Sequence, residues 1–194
     1  MFIAFEGLDG SGSSTQSKLL AERLEKNGHA VLKTKEPTRD THIGKIIREI
    51  LQYKWKVSPR TLQLLFTADR SEHLKNTIEP ALKNGQVVVT DRYFFSTIAY
   101  GAMDVEIDWL KTLCKYFRIP DITFLFKLDP QTCIKRIAGR GSDYELFEKA
   151  EKLEKIWTNY EKVVEDYENF YIIDASKTIE EISDEIWEVV KERV

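Results

Sequence analysis

Residues Gly7-Leu8-Asp9-Gly10-Ser11-Gly12-Ser13-Ser14-Thr15 combine glycines, hydroxyls and a carboxylate between an apolar run, Phe2-Ile3-Ala4-Phe5, and an amphipathic segment from Gln16 to Asn27. A strand, a glycine-rich turn and a helix in that order form a phosphate cradle. Backbone N–H groups and the helix N-terminus point at the anion, and glycine lets the backbone approach closely. From Gly7 to Ser14 the spacing follows the phosphate-binding pattern G-x-x-x-x-G-K-[ST], except that Ser13 stands where the lysine belongs. Ser14 is placed to offer its hydroxyl to Mg²⁺.

Four further clusters carry chemistry. Asp91-Arg92-Tyr93 follows the apolar run Val87–Thr90. A carboxylate at a strand's carboxyl end suits a metal-bound water, so Asp91 joins Ser14 as a metal candidate. The planar fork of Arg92 suits a phosphate. Arg92, Ser96 and Tyr100 recur every four residues, which on a helix presents all three on one side. Phe66 and Arg70 share that spacing and could offer an aromatic plane and a donor to one ligand, although Leu62, Leu65 and Phe66 read equally well as a packed face. Lys35-Glu36-Pro37-Thr38 places a cation and a stiff turn after the second strand, where an ordinary connecting loop explains the residues as well. Arg136 and Arg140, before Gly141, could close over phosphates or could be solvated surface. His29, His42 and His73 have no ligand or triad spacing and receive no role.

These clusters need a scaffold that brings strand ends together. Apolar β-rich runs occur at 2–5, 30–34, 87–90, 122–128 and 170–173, and Val87-Val88-Val89 reads as a strand buried on both faces. Helical spacing covers 14–27, 41–52, 59–83, 92–101, 106–117, 130–139, 144–167 and 178–192. The alternation predicts a doubly wound three-layer α/β/α fold with ligands beyond the carboxyl ends of a parallel sheet. At 194 residues the chain suits a single domain, 1–194, and the doubly charged stretch 135–168 is either a solvated helical face or a mobile lid.

Composition removes other classes. With 42% hydrophobic and 31% charged residues, the chain is neither disordered nor membrane-spanning. A net charge of −3 argues against a nucleic-acid polymer as partner, which would need a basic face. Cys114 and Cys133 lack metal-ligand spacing and are expected to be reduced and buried. No signal-peptide pattern opens the chain, and the expected location is the cytoplasm.

In this order the pieces resemble the thymidylate kinases, nucleoside-monophosphate kinases of the P-loop class. Strand then G-x-D-G-x-G matches Phe5 to Gly12, E-P matches Glu36-Pro37, L-F-x-A-D-R matches Leu65 to Arg70, and D-R-Y-x-x-S-x-x-A-Y matches Asp91 to Tyr100. Lys127-Leu128-Asp129-Pro130 and Ile173-Asp174-Ala175-Ser176 also fit. The resemblance implies a P-loop NTPase fold with a five-stranded parallel sheet and a helical lid near 135–150. It implies ATP and Mg²⁺ as cofactors, dTMP as acceptor, and a homodimer.

By the same resemblance, Gly7 to Thr15 and Arg136 would bind ATP, and the backbone near Ala175 would flank its adenine. Phe66 would stack on thymine, Arg70 would bond its exocyclic oxygen, and Tyr100 would crowd the ribose 2′ position. Lys35, Pro37, Ser96 and Thr97 would complete the dTMP site. Arg92 would hold the monophosphate, and Asp9 would bind the sugar 3′-hydroxyl or the magnesium shell. The chain departs from the family at three places. Ser13 replaces the P-loop lysine with no loop arginine in compensation, Lys35 replaces an arginine, and Gly101 stands where glutamine is frequent. With no cation at Ser13, the charge on the transferred group is expected to be met by Mg²⁺, Arg92, Arg136 and Arg140. Two alternatives are a deoxynucleoside kinase and a nucleotide-binding homologue without catalysis.

Overall fold

The computed structural model describes residues 1–138 and 146–194. Five parallel strands form one sheet in the order β2-β3-β1-β4-β5: β1 Phe2–Gly7, β2 Val31–Lys35, β3 Val87–Asp91, β4 Ile122–Lys127 and β5 Phe170–Asp174. The helices are α1 Ser13–Lys26, α2 His42–Leu51, α3 Pro59–His73, α4 Glu79–Lys83, α5 Phe94–Gly101, α6 Ile107–Cys114, α7 Pro130–Ala138, α8 Leu146–Val164 and α9 Ile179–Val190. The expected three-layer α/β architecture is therefore present.

Burial explains the strand order. Every residue of β1 and β3 is buried, and β4 is buried up to Lys127, whereas β2 and β5 are half-exposed edges. Continuous apolar runs sit at the centre because parallel strands there are covered by helices on both faces. Phe5 packs its ring against Phe124 and Phe126, at centroid distances of 5.3 and 5.8 Å. The two cysteines are free and buried.

Two expected helices change form. The stretch 59–83 runs as α3, a π-helical turn at Leu74–Ile78, and α4. The helix expected over 92–101 begins only at Phe94, because Arg92 takes a left-handed backbone (φ 71°) and its amide donates to the Phe5 carbonyl, continuing the sheet. Arg92 thus stands before the helix, and the four-residue rhythm with Ser96 and Tyr100 does not arise from a shared helical face. No helix among the described residues is long and apolar enough to cross a membrane.

Candidate active site

β1 lies between β3 and β4, so the chain switches direction there and leaves a crevice beyond the carboxyl ends of those strands. The glycine loop leaves β1 into that crevice and opens α1. Gly12 caps α1 in a left-handed conformation with no side-chain hydrogen bond to the first turn. By contrast α2, α3 and α9 are capped by Thr41, Ser58 and Thr178. The Thr15 amide turns back to the Gly12 carbonyl at 3.0 Å, which leaves the Ser13 and Ser14 amides as the donors that can face an anion. Leu8 and Ser11 are buried beneath the loop, while Ser14 and Thr15 are exposed at its mouth. A cavity of about 400 Å³ is lined by the loop, Lys35 and Arg92.

The two metal candidates touch. The Ser14 hydroxyl donates to Asp91 Oδ2 at 2.6 Å, and the Lys35 ammonium sits 2.5 Å from the same oxygen. Asp91 Oδ1 is buried without a partner. A carboxylate with an uncommitted oxygen beside a hydroxyl fits a hard cation such as Mg²⁺, which commonly takes few protein ligands and completes its shell with phosphates and water. No cluster of three or more His, Cys, Asp or Glu side chains offers a protein-only metal cage among the described residues.

Arg92 is the hub of the opposite wall. One nitrogen donates to Ser96 Oγ (2.8 Å) and the Gly7 carbonyl (3.1 Å), and the other to Asp9 Oδ1 (2.6 Å) and the Tyr100 hydroxyl (3.2 Å). Arg92, Ser96 and Tyr100 therefore do converge, through the reach of the guanidinium. Burial opposes the Arg92 charge, but Tyr100, Asp9, Tyr160 and Glu6 together hold its pKa well above the ordinary value. Burial also pushes the Tyr100 hydroxyl up to about 12, so it is a neutral donor and acceptor. A non-glycine residue at positive φ costs about 1–3 kcal/mol, a strain typical of functional sites.

Beneath Arg92 lies Glu6, a residue to which the sequence reading gave no role. Its Oε1 accepts from the amides of Tyr93 (2.8 Å) and Ser96 (3.3 Å), which caps α5. Its Oε2 accepts from the Tyr160 hydroxyl (2.8 Å) and from Ser96 Oγ. Burial raises the Glu6 pKa, with Arg92 and the hydroxyl donors acting against it. A lone carboxylate ending the apolar strand Phe2–Phe5 was a readable signal, because buried charge persists only when partnered. Tyr160 gave no such signal, since it lies 154 residues away in the chain.

The third wall is built on Arg70, which is 3% exposed. Its Nε pairs with Glu36 Oε2 at 2.6 Å and one terminal nitrogen donates to Thr97 Oγ1 at 3.0 Å. The other terminal nitrogen is buried with no partner, a donor that a carbonyl oxygen would satisfy. Burial disfavours this charge, but Glu36, Cys114 and Tyr93 together outweigh it and raise the Arg70 pKa. His73, to which the sequence reading gave no role, braces the other side of Glu36, with Nδ1 3.0 Å from Oε1 and Nε2 2.7 Å from Thr34 Oγ1. Pro37 follows a cis peptide bond and is half-buried, as is Phe66 one turn before Arg70. Gly101, the departure from glutamine, has a local cause: a Cβ there would meet Gln63 Cδ at 2.9 Å and Leu110 Cδ1 at 3.0 Å. Gln63 of α3 fills the room a longer side chain would need.

On the far side of the glycine loop, Arg136 of α7 reaches the carbonyls of Gly10 (3.5 Å), Ser11 (3.4 Å) and Ala175 (3.4 Å). It borders a second cavity of about 550 Å³ shared with Lys127, Asp129, Thr132 and Ser176. Arg140 and the centre of the expected lid, 139–145, lie outside the described residues.

An open helix terminus and a guanidinium hub thus line one cavity of about 400 Å³ at the carboxyl ends of a parallel sheet. That arrangement defines the class: an α/β phosphotransferase of the P-loop kind. Comparison with known proteins narrows it. A family model described as thymidylate kinase matches residues 5–186. Probable thymidylate kinases from Methanocaldococcus jannaschii and Pyrococcus horikoshii are 44% and 41% identical, covering 96% and 98% of this chain and 93% and 95% of their own. One from Thermococcus onnurineus is 40% identical, covering 98% of this chain and 97% of its own. The chain belongs to the thymidylate kinase family.

Proposed function

We infer that this chain transfers the γ-phosphoryl group of ATP to dTMP, giving dTDP and ADP in the supply of dTTP. The observation that carries this is Arg92, held by Asp9 and Tyr100 on one nitrogen while the other bonds the Gly7 carbonyl at the start of the glycine loop. One guanidinium there can hold the acceptor phosphate next to the donor site. Phosphoryl transfer requires positioning and charge neutralisation more than covalent help from the protein, and fixed guanidinium forks supply both.

In this reading Gly7 to Thr15 wrap the triphosphate, and Arg136 with Ala175 borders the adenine. Ser14 and Asp91 would hold Mg²⁺, which would supply positive charge against the phosphates. Phe66 stacks on thymine and Arg70 donates its spare N–H to the exocyclic oxygen. Pro37, Ser96 and Thr97 shape the acceptor pocket with Lys35. Tyr100 crowds the 2′ position, and Asp9 takes the 3′-hydroxyl or the magnesium shell. Arg136 and Arg140 add charge at the donor side. We also propose a cytoplasmic homodimer, checked by light scattering of the purified chain.

The test is ADP release with Mg-ATP against dTMP, dUMP and thymidine. Turnover with dTMP and none with thymidine supports the reading. Thymidine turnover alone would make the chain a nucleoside kinase, and binding of both nucleotides without ADP would leave only a binding protein.

A further inference from the structure

The glycine loop carries no cation at any variable position, since Leu8, Asp9, Ser11 and Ser13 fill them. Yet an ammonium stands at its mouth. β2 and β3 pair in parallel with Lys35 opposite Asp91, so both side chains leave adjacent strands at the same level beyond the sheet. Lys35 Nζ and Ser14 Oγ both donate to Asp91 Oδ2, at 2.5 and 2.6 Å. The ammonium and that hydroxyl are therefore no farther apart than two hydrogen bonds laid end to end, and Ser14 is the neighbour of Ser13.

Two cations line the loop cavity among the described residues, Arg92 and Lys35. They are differently occupied. The Arg92 fork is spread over Asp9, Ser96, Tyr100 and the Gly7 carbonyl. Lys35 places one of its three N–H donors on Asp91, and its side chain is 36% exposed. A flexible four-carbon stem with a compact charge can turn its remaining donors onto ligand oxygens without breaking a buried network.

We propose that Lys35 supplies the ammonium that the glycine loop lacks. Its Nζ, anchored by Asp91, contacts the non-bridging phosphate oxygens at the junction of donor and acceptor during transfer. The bond from the γ-phosphorus to the ADP oxygen breaks as a bond from a dTMP phosphate oxygen forms. Lys35 forms no covalent bond in the step. This rests on the kinase reading above, and it moves the missing charge from the loop to the end of a neighbouring strand.

The experiment compares the parent, Lys35→Met, Lys35→Arg, Ser13→Lys and the Ser13→Lys/Lys35→Met pair. It measures dTDP formation, and by calorimetry the binding of dTMP and of an ATP analogue with a non-hydrolysable β–γ bridge. Lys35→Met is expected to lower kcat about 10²- to 10³-fold, the effect of losing one electrostatic donor, with a smaller loss of dTMP affinity, about tenfold at most. Lys35→Arg retains part of the rate. Ser13→Lys gains more in the Lys35→Met background than in the parent, because the two cations serve the same oxygens.

Three results would overturn the proposal: near-parental turnover of Lys35→Met, an equal loss of dTMP affinity, or equal gains from Ser13→Lys in both backgrounds. Melting curves separate these from misfolding, with Lys35→Arg as the fold-preserving variant. If the parent itself forms no dTDP, the kinase reading fails. The analogue's affinity still decides Lys35 in that case, through an expected loss of about tenfold or more in Lys35→Met.

Discussion

Two helices begin at the same crevice and are finished in opposite ways. α5 starts under the Glu6 carboxylate, which takes the Tyr93 and Ser96 amides while also receiving Tyr160. α1 starts at Gly12 with no side chain on its first turn. One terminus has its anion built in, and the other waits for one. The half proposed above for the acceptor is thus preassembled, with Arg92 and Arg70 locked into charged networks. The donor half is backbone amide, exposed hydroxyls and an Arg136 whose contacts stretch to 3.4–3.5 Å. Preassembly suits recognition of one particular nucleotide, whereas a backbone cradle recognises phosphate of any origin.

Substitutions can break this contrast. The largest effect is expected at Arg92→Met, which strips the hub and leaves Glu6 and Asp9 without their cation. Turnover with dTMP should fall about 10³-fold and melting should drop with it, read by ADP release and thermal denaturation. Arg70→Met leaves Glu36 buried without its arginine partner and should cost about 3–5 kcal/mol by denaturant titration, together with weaker dTMP binding. Arg136→Ala belongs to the donor half and should lower kcat about 10²-fold with dTMP affinity and melting unchanged. A melting loss in Arg136→Ala, or none in Arg70→Met, would erase the distinction.

The smallest effect sharpens the comparison through pH. Burial raises the Glu6 pKa in the folded state, so the folded chain binds a proton more readily than the unfolded one. Its contribution to stability is full below the ordinary carboxyl pKa and is lost as pH climbs through the raised value. Relative to Glu6→Gln, the parent should therefore lose melting temperature on going from acid towards neutral pH. A flat difference between the two across that range would remove Glu6 as a titrating cap.

Much of the scaffold was legible because strand burial writes itself as uninterrupted apolar runs, and Val87-Val88-Val89 marked a central strand correctly. What escaped was the last residue or two of β1 and β3, whereas β4 stops at Lys127, one residue before its expected end. Glu6, Gly7 and Asp91 continue the sheet, although polarity and glycine suggested it had ended. Local spacing was enough to place residues on their elements, as with Phe66 one turn before Arg70 in α3 or the glycine loop between β1 and α1. The site was not legible where partners lie far apart in sequence, as for Glu36 with His73 or Glu6 with Tyr160. The backbone at Arg92 also escaped, because only an assembled β1–β3 edge holds an arginine in a left-handed turn.

Gly10 rests where any Cβ would lie 2.6 Å from the Cys133 carbonyl and 3.2 Å from Ile137 of α7. Nucleotide floor and guanidinium arm are consequently bolted together at a point with no slack. Even an alanine there would lever α7 outward and carry Arg136 off its carbonyls. Damage at residue 10 should therefore look, kinetically, like damage at residue 136.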